Sequence, residues 1–137
     1  MADRALLIED NEQNRYLATF LLERHGFEVH AAADGPTGIE MARDLRPDVI
    51  LLDIQLPSMD GYEVARALRR IDDLAGTPIV AVTSYAMVGD REKCLEAGCT
   101  GYIEKPIDPD TFVAQVQQVR GGTSPGPAGS DESGGVG

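Results

Sequence analysis

The stretch Asp48-Val49-Ile50-Leu51-Leu52-Asp53 decides the fold. Its apolar core is of strand length, and no polar residue interrupts it to mark a solvent face. Such a run reads as a central strand buried on both sides, the position found in a parallel sheet covered by helices above and below.

Working outward, strand-length apolar runs alternate with amphipathic segments in both directions. Toward the C-terminus, Gly61–Ile71 has helical spacing, with Val64, Ala67, Leu68 and Ile71 on one face. Pro78–Thr83 reads as a fourth strand, residues 90–97 as a helix stopped by Gly98, and Gly101–Glu104 as a short fifth strand. A last helix follows, with Asp108 as its expected cap and Phe112, Val113, Val116 and Val119 facing inward. Toward the N-terminus, Asp34 is the expected cap of a helix whose face holds Ile39, Met41, Ala42 and Leu45 and which stops before Pro47. Phe27–Ala32 is a second, less apolar strand. Before it a helix carries Tyr16, Leu17, Phe20 and Leu21 as its expected apolar face, and closes at His25-Gly26, where a positive φ is expected. The first strand is Ala5-Leu6-Leu7-Ile8, ending in Glu9-Asp10-Asn11.

The pattern is β-α repeated five times. Right-handed crossovers then give an α/β three-layer sandwich, a doubly wound (βα)5 fold with a parallel five-stranded sheet. The second and fifth strands are natural edges, which points to the flavodoxin-like order 2-1-3-4-5.

At 137 residues the chain holds one ordinary domain, expected over 1–120. Residues 121–137, rich in Gly, Ser and Pro, have almost nothing to bury and are expected to form a flexible tail. A net charge of −11 argues against nucleic acid, whose binding requires basic surface, and against an anionic membrane. With no signal peptide or apolar run of spanning length visible, a cytoplasmic protein is expected. Cys94 and Cys99 read as reduced thiols packed in the core rather than as a disulfide framework.

In a doubly wound sheet, ligands bind beyond the carboxyl ends of the strands. Those ends carry Glu9-Asp10, Asp53, Thr83-Ser84 and Lys105-Pro106. Carboxylates brought within roughly 5 Å repel by a few kcal/mol per pair at an effective dielectric near 20, so the cluster must protonate, loosen or hold a cation. Oxygen ligands select a hard ion, and two carboxylates suit Mg²⁺ completed by a substrate phosphate. Lys105 and the Thr83 hydroxyl would face the remaining phosphoryl oxygens, leaving one carboxylate as nucleophile. Asp53, on the most buried strand, is the candidate.

Leu-Ile-Glu9-Asp10-Asn, Leu-Leu-Asp53-Ile-Gln55-Leu-Pro57-Ser-Met-Asp-Gly61, Val-Thr83-Ser84 and Tyr102-Ile-Glu-Lys105-Pro106 together resemble the receiver domain of bacterial two-component response regulators. The resemblance extends over nearly all of residues 4–120. It implies that Asp53 is phosphorylated by a phosphohistidine on a histidine kinase or a histidine phosphotransfer protein, and that a downstream protein target reads the result. Asp10, Asp53 and the backbone carbonyl of Gln55 are implied to ligate Mg²⁺, with Glu9 acting through a metal-bound water. Thr83, Ser84 and Lys105 are implied to hold the phosphoryl group, and Pro106 to follow a cis peptide bond. Thr83 and Tyr102 are implied to switch together, rearranging the face built from the fourth helix, fifth strand and fifth helix. Glu9 stands where many members have Asp, and Ser84 where a small residue is usual. The run Thr83–Cys94 resembles relay and hybrid-kinase receivers, so a single-domain regulator is expected. Gln55 and Tyr85 are expected to tune dephosphorylation.

Three rivals stand beside this reading. A haloacid-dehalogenase-like aspartyl phosphatase would carry a second acid two residues after its nucleophile, where this chain has Gln55. A nucleotide- or flavin-binding module would need a phosphate-cradling loop where Glu9-Asp10-Asn11-Glu12 stands. A receiver-like scaffold that is never phosphorylated would not need the whole acceptor set. Plainer readings apply elsewhere. Glu9 and Asp10 would cap the first helix, Arg66, Arg69 and Arg70 would be a solvated helix face, His25 and His30 would lie at the surface, and Met59 and Met87 would pack loosely.

Overall fold

Five strands, β1 (Arg4–Ile8), β2 (Glu28–Ala32), β3 (Val49–Asp53), β4 (Ile79–Thr83) and β5 (Gly101–Glu104), pair in parallel in the order β2-β1-β3-β4-β5. Helices α1 (Glu12–Arg24), α2 (Gly35–Leu45), α3 (Gly61–Arg69), α4 (Val88–Ala97) and α5 (Phe112–Arg120) connect them, with a 3₁₀ turn at Asp72–Leu74. The computed structural model describes residues 3–56, 59–84 and 88–121. The expected α/β order is therefore borne out. So are the edges: every residue of β3 and β4 is buried, whereas β2 and β5 are partly exposed.

Side-chain alternation along the strands builds two separate cores. Leu6, Ile8, Ile50, Leu52, Ile79 and Ala81 pack against Ala42, Val64, Leu68 and Ala97 of α2, α3 and α4. Ala5, Leu7, Val49, Leu51, Val80 and Val82 pack against Leu21, Leu22, Phe112 and Val116 of α1 and α5. The uninterrupted apolar run of β3 has no solvent face because each of its alternating sets has a helical layer to meet.

Asp34 caps α2, its side chain accepting the Thr37 N–H at 2.8 Å, and Gly26 takes φ +89 beyond α1, both as expected. A full capping box between Asp60 and Glu63 starts α3.

Other local expectations are corrected. On α1 the buried residues are Ala18, Leu21 and Leu22, while Tyr16 is 74 % and Phe20 44 % exposed. Tyr16 and Phe20 instead stack on each other with ring centroids 6.4 Å apart, and Arg24 lies over Phe20. The cap of α1 is Asn11, which accepts the Asn14 N–H at 2.9 Å; Glu9 and Asp10 precede it, because the helix starts only at Glu12. Asp108 does not cap α5. Its carboxylate accepts the Asp110 N–H at 3.0 Å in a turn, and the helix begins after Thr111, which makes no side-chain cap.

Arg69 is no solvated arginine. Where α3 ends, its guanidinium turns inward and donates to the carbonyls of Gly98 (2.8 Å), Leu74 (2.8 Å) and Thr77 (2.7 Å), tying α3, the 3₁₀ turn, the approach to β4 and the end of α4 together. His30 is half-buried and pairs with Glu28 at 2.7 Å, and Met59 packs against the α2–α3 core. Among the described residues, no helix is long and apolar enough to cross a membrane.

Candidate functional site: an acidic rim at the carboxyl end of the sheet

Strand register brings the site together. Ile8 lies beside Leu52 and Asp53 beside Val82, so the residues leaving β1, β3 and β4 share one rim. Across β4 and β5, Thr83 pairs with Glu104, and the Lys105 N–H donates to the Thr83 carbonyl at 2.8 Å, which brings Lys105 to the same rim. The Lys105–Pro106 bond is cis.

The start of α3 closes tightly on the end of β3. The Gly61 N–H donates to the Ile54 carbonyl at 2.9 Å. A Cβ on Gly61 would lie 2.8 Å from the Asp53 carbonyl oxygen, so no larger residue fits without moving the backbone beneath it.

Carboxylate oxygens of Glu9, Asp10 and Asp53 all lie within 4.8 Å of one another. Glu9 and Asp53 are buried, 3 % and 2 % exposed, and Asp10 is exposed. Lys105 Nζ bridges the buried pair, 3.2 Å from Glu9 Oε1 and 3.2 Å from Asp53 Oδ2. The lysine thus touches both the acid expected on the metal side and the nucleophile candidate. Burial and the adjacent Glu9 carboxyl push the Asp53 pKa up to about 6, against the pull of the Gln55 N–H and Lys105. The Gln55 N–H donates to Asp53 Oδ1 at 2.9 Å and orients that carboxylate.

Two residues outside the expected set hold the acidic loop. Arg15 Nη1 donates to the backbone carbonyls of Glu9 (2.9 Å) and Asp10 (3.3 Å), and the Asn11 N–H donates to Glu9 Oε2 at 3.1 Å. Arg15 gives no sequence signal beyond lying one helical turn past the acids; its role rests on backbone atoms that any sequence possesses.

Thr83 is buried at the end of β4, and Ser84 follows it, exposed. Tyr102 is half-buried against the α2–α3–α4 core, with the Arg91 guanidinium 5.0 Å above its ring. Beside it a hollow of about 400 Å³ opens between α4, β5 and α5, lined by Arg91, Tyr102, Glu104, Pro106 and Gln115. Pro57, Tyr85, Met87 and the tail from 122 onward lie outside the described residues.

The donor set fits a hard divalent cation. Three carboxylates face one ammonium, which leaves excess negative charge at a partly dry rim built only of oxygen ligands.

Comparisons with known proteins agree with this geometry. The family model described as the response regulator receiver domain matches residues 5–117. The polar-differentiation response regulator DivK of Brucella anthropi is 40 % identical over 121 residues, covering 88 % of this chain and 98 % of that protein. The chemotaxis response regulator CheY4 of Vibrio cholerae superposes with a TM-score of 0.84 at 30 % identity, over 87 % of this chain and 99 % of that one. The receiver domain of a sensor histidine kinase from Pseudomonas aeruginosa, solved with a magnesium ion coordinated in its active site cleft, superposes with a TM-score of 0.81 at 36 % identity, over 88 % and 99 %. Nothing in these matches favours the phosphatase-like rival.

Proposed function

The chain belongs to the response regulator receiver domain family, and from that premise we propose that Asp53 is the phosphoacceptor of a phosphorelay. The observation that carries this assignment is the position of Asp53. It ends the central strand β3, which Glu9 and Asp10 do not, is buried within the three-carboxylate cluster, and stands within ion-pair distance of Lys105.

An Asp53 carboxylate oxygen attacks the phosphorus of a phosphohistidine on a histidine kinase or phosphotransfer protein. The P–N bond breaks and its electron pair stays on the imidazole of the donor. The Gln55 N–H holds the second carboxylate oxygen, and so aims the first. Thr83, Ser84 and Lys105 receive the phosphoryl oxygens, the lysine letting go of Glu9 to do so. Glu9, Asp10, Asp53 and the Gln55 carbonyl are the residues that would hold Mg²⁺, which when bound neutralises charge on the phosphoryl group. Thr83 and Tyr102 then shift together, and the face of α4, β5 and α5 presents the new state to a downstream protein. The chain acts as a switch rather than a turnover enzyme.

We read residues 1–120 as the receiver unit and 121–137 as a tail. The −11 charge favours protein partners over nucleic acid or membrane. The two unpaired cysteines suit the cytoplasm. Incubation with acetyl phosphate and Mg²⁺ should add about 80 Da to the intact protein, the mass of one phosphoryl group. Asp53→Asn should abolish the addition, and labelling that persists in this variant refutes the assignment.

A further inference from the structure

α4 ends in a Schellman turn: the Cys99 N–H donates to the Cys94 carbonyl at 2.9 Å and the Gly98 N–H to the Leu95 carbonyl at 3.1 Å, with Gly98 at φ +110. This turn sets side chains five residues apart against each other, a contact ordinarily made by two apolar residues. Here both are thiols. They are 1 % and 5 % exposed and carry no disulfide. The Cys94 thiol, the Cys99 thiol and the Tyr62 hydroxyl of α3 are near enough that Cys94 interacts with both of the others. Arg69 fixes the same turn through the Gly98 carbonyl at 2.8 Å.

We propose that Cys94 and Cys99 form a reversible oxidation site, in which a hydroperoxide converts the pair into an intramolecular disulfide across the end of α4. The neighbouring Cys99 and Tyr62 hold the Cys94 thiol below its ordinary range, while Cys94 and burial push Cys99 up. Cys94 is therefore the attacking thiolate. It attacks the terminal peroxide oxygen, the O–O bond breaks, and the departing oxygen takes a proton and leaves as water or alcohol. The sulfenic acid left on Cys94 is attacked by the Cys99 sulfur. The S–O bond breaks, and hydroxide leaves as water with the Cys99 proton. Two thiols have lost two electrons and the peroxide has gained them. The bond from the Cys99 N–H to the Cys94 carbonyl draws the backbones of the two residues together, which favours a bridge between their side chains.

The full-length protein supplies the test. Trypsin cuts after Lys93 and Arg120 and leaves Lys105–Pro106 intact, so both thiols fall on the single peptide 94–120. After brief hydrogen peroxide treatment of the folded protein, this peptide should be lighter by about 2 Da, the loss of two hydrogens, and dithiothreitol should restore it. Alkylation in denaturant should label neither thiol before reduction and both after it. In Cys99→Ala, dimedone should instead trap a sulfenic acid on Cys94. Two labelled thiols after peroxide, disulfide-linked dimers, or a peptide that gains only oxygen would each overturn the proposal, and the wild-type measurements stand whether or not the variant folds.

Discussion

Lys105 Nζ and Asp53 Oδ2 stand 3.2 Å apart, and the same ammonium reaches the buried Glu9 at an equal distance. One ammonium thus offsets only part of the charge of a site that holds three carboxylates, and a divalent ion must compete with it for the buried pair.

Lys105→Met should therefore separate the two properties of the site. With the competing charge gone, Mg²⁺ should bind about tenfold tighter by calorimetry. Phosphorylation by acetyl phosphate should fall about a hundredfold, because the cation facing the phosphoryl oxygens is lost. Weaker Mg²⁺ binding would show that the lysine organises the carboxylates rather than opposing the ion.

Asp53 has a folded-state pKa of about 6, above its ordinary 3.8. A carboxyl raised in this way binds more protons folded than unfolded, so its contribution to stability is complete below about pH 4 and is lost as pH rises through 6. Without Mg²⁺, Asp53→Asn should be more stable than wild type at pH 7 by roughly 1–2 kcal/mol, since Lys105 offsets part of the repulsion. The difference should vanish near pH 4 in urea titrations. An equal difference at both pH values contradicts the charge-repulsion account.

Gly61→Ala should lower stability by about 1–3 kcal/mol, because the added methyl meets the Asp53–Ile54 backbone. It should slow phosphorylation as well, since that backbone carries the acceptor. Stability loss with unchanged phosphorylation would show that the loop yields without moving Asp53.

Arg69→Met keeps the length of the stem and removes the donors to Gly98, Leu74 and Thr77. A loss of about 2–4 kcal/mol is expected in urea unfolding, the result of leaving part-buried carbonyls without partners. Arg66→Met serves as the control on the same helix and should stay within about 0.5 kcal/mol.

Tyr102 should respond to a beryllofluoride adduct at Asp53. Its ring now lies under Arg91 at 5.0 Å, and a change of packing should shift its ring resonances in NMR spectra. Unchanged resonances in the saturated complex would detach Tyr102 from the switch.

Most of the fold was legible because burial on both faces leaves a plain mark. The run of β3 and the weak apolarity of β2 announced the centre and the edge without long-range information. On α1, Leu17 and Leu21 meet the core as their spacing suggests, but Tyr16 and Phe20 do not, for a physical reason. Tyr16 and Phe20 are apolar at helical spacing, yet the smaller Ala18 meets the sheet, and the two rings find each other and Arg24 instead. The caps show the same boundary. Asp34 and Gly26 behave as their local sequence dictates, whereas Asp108 and Glu9 depend on where the helix begins, to within a residue or two. At the rim, the identities of Glu9, Asp10, Asp53, Thr83 and Lys105 were readable from strand ends alone. The bridge from Lys105 to Glu9 was not, because it depends on register between strands distant in sequence, and the hold of Arg15 on the acidic loop was not, because its acceptors are backbone carbonyls that any sequence possesses.

The Arg69 clamp gathers the entrances to β4 and β5, at the end of the sheet opposite the acids. Strands of five and four residues separate the two ends by about 13–17 Å. The molecule is thus clamped along one margin by a guanidinium shared among several loops, while the other is joined by the Lys105 N–H to the Thr83 carbonyl and by the Lys105 ion pairs. Amide exchange along β4 and β5 should grade accordingly, slowest near Ile79 and Thr100 and fastest approaching Thr83 and Lys105. A charge arriving at the rim then acts on the Lys105 margin of these strands while the Arg69 margin supplies the pivot.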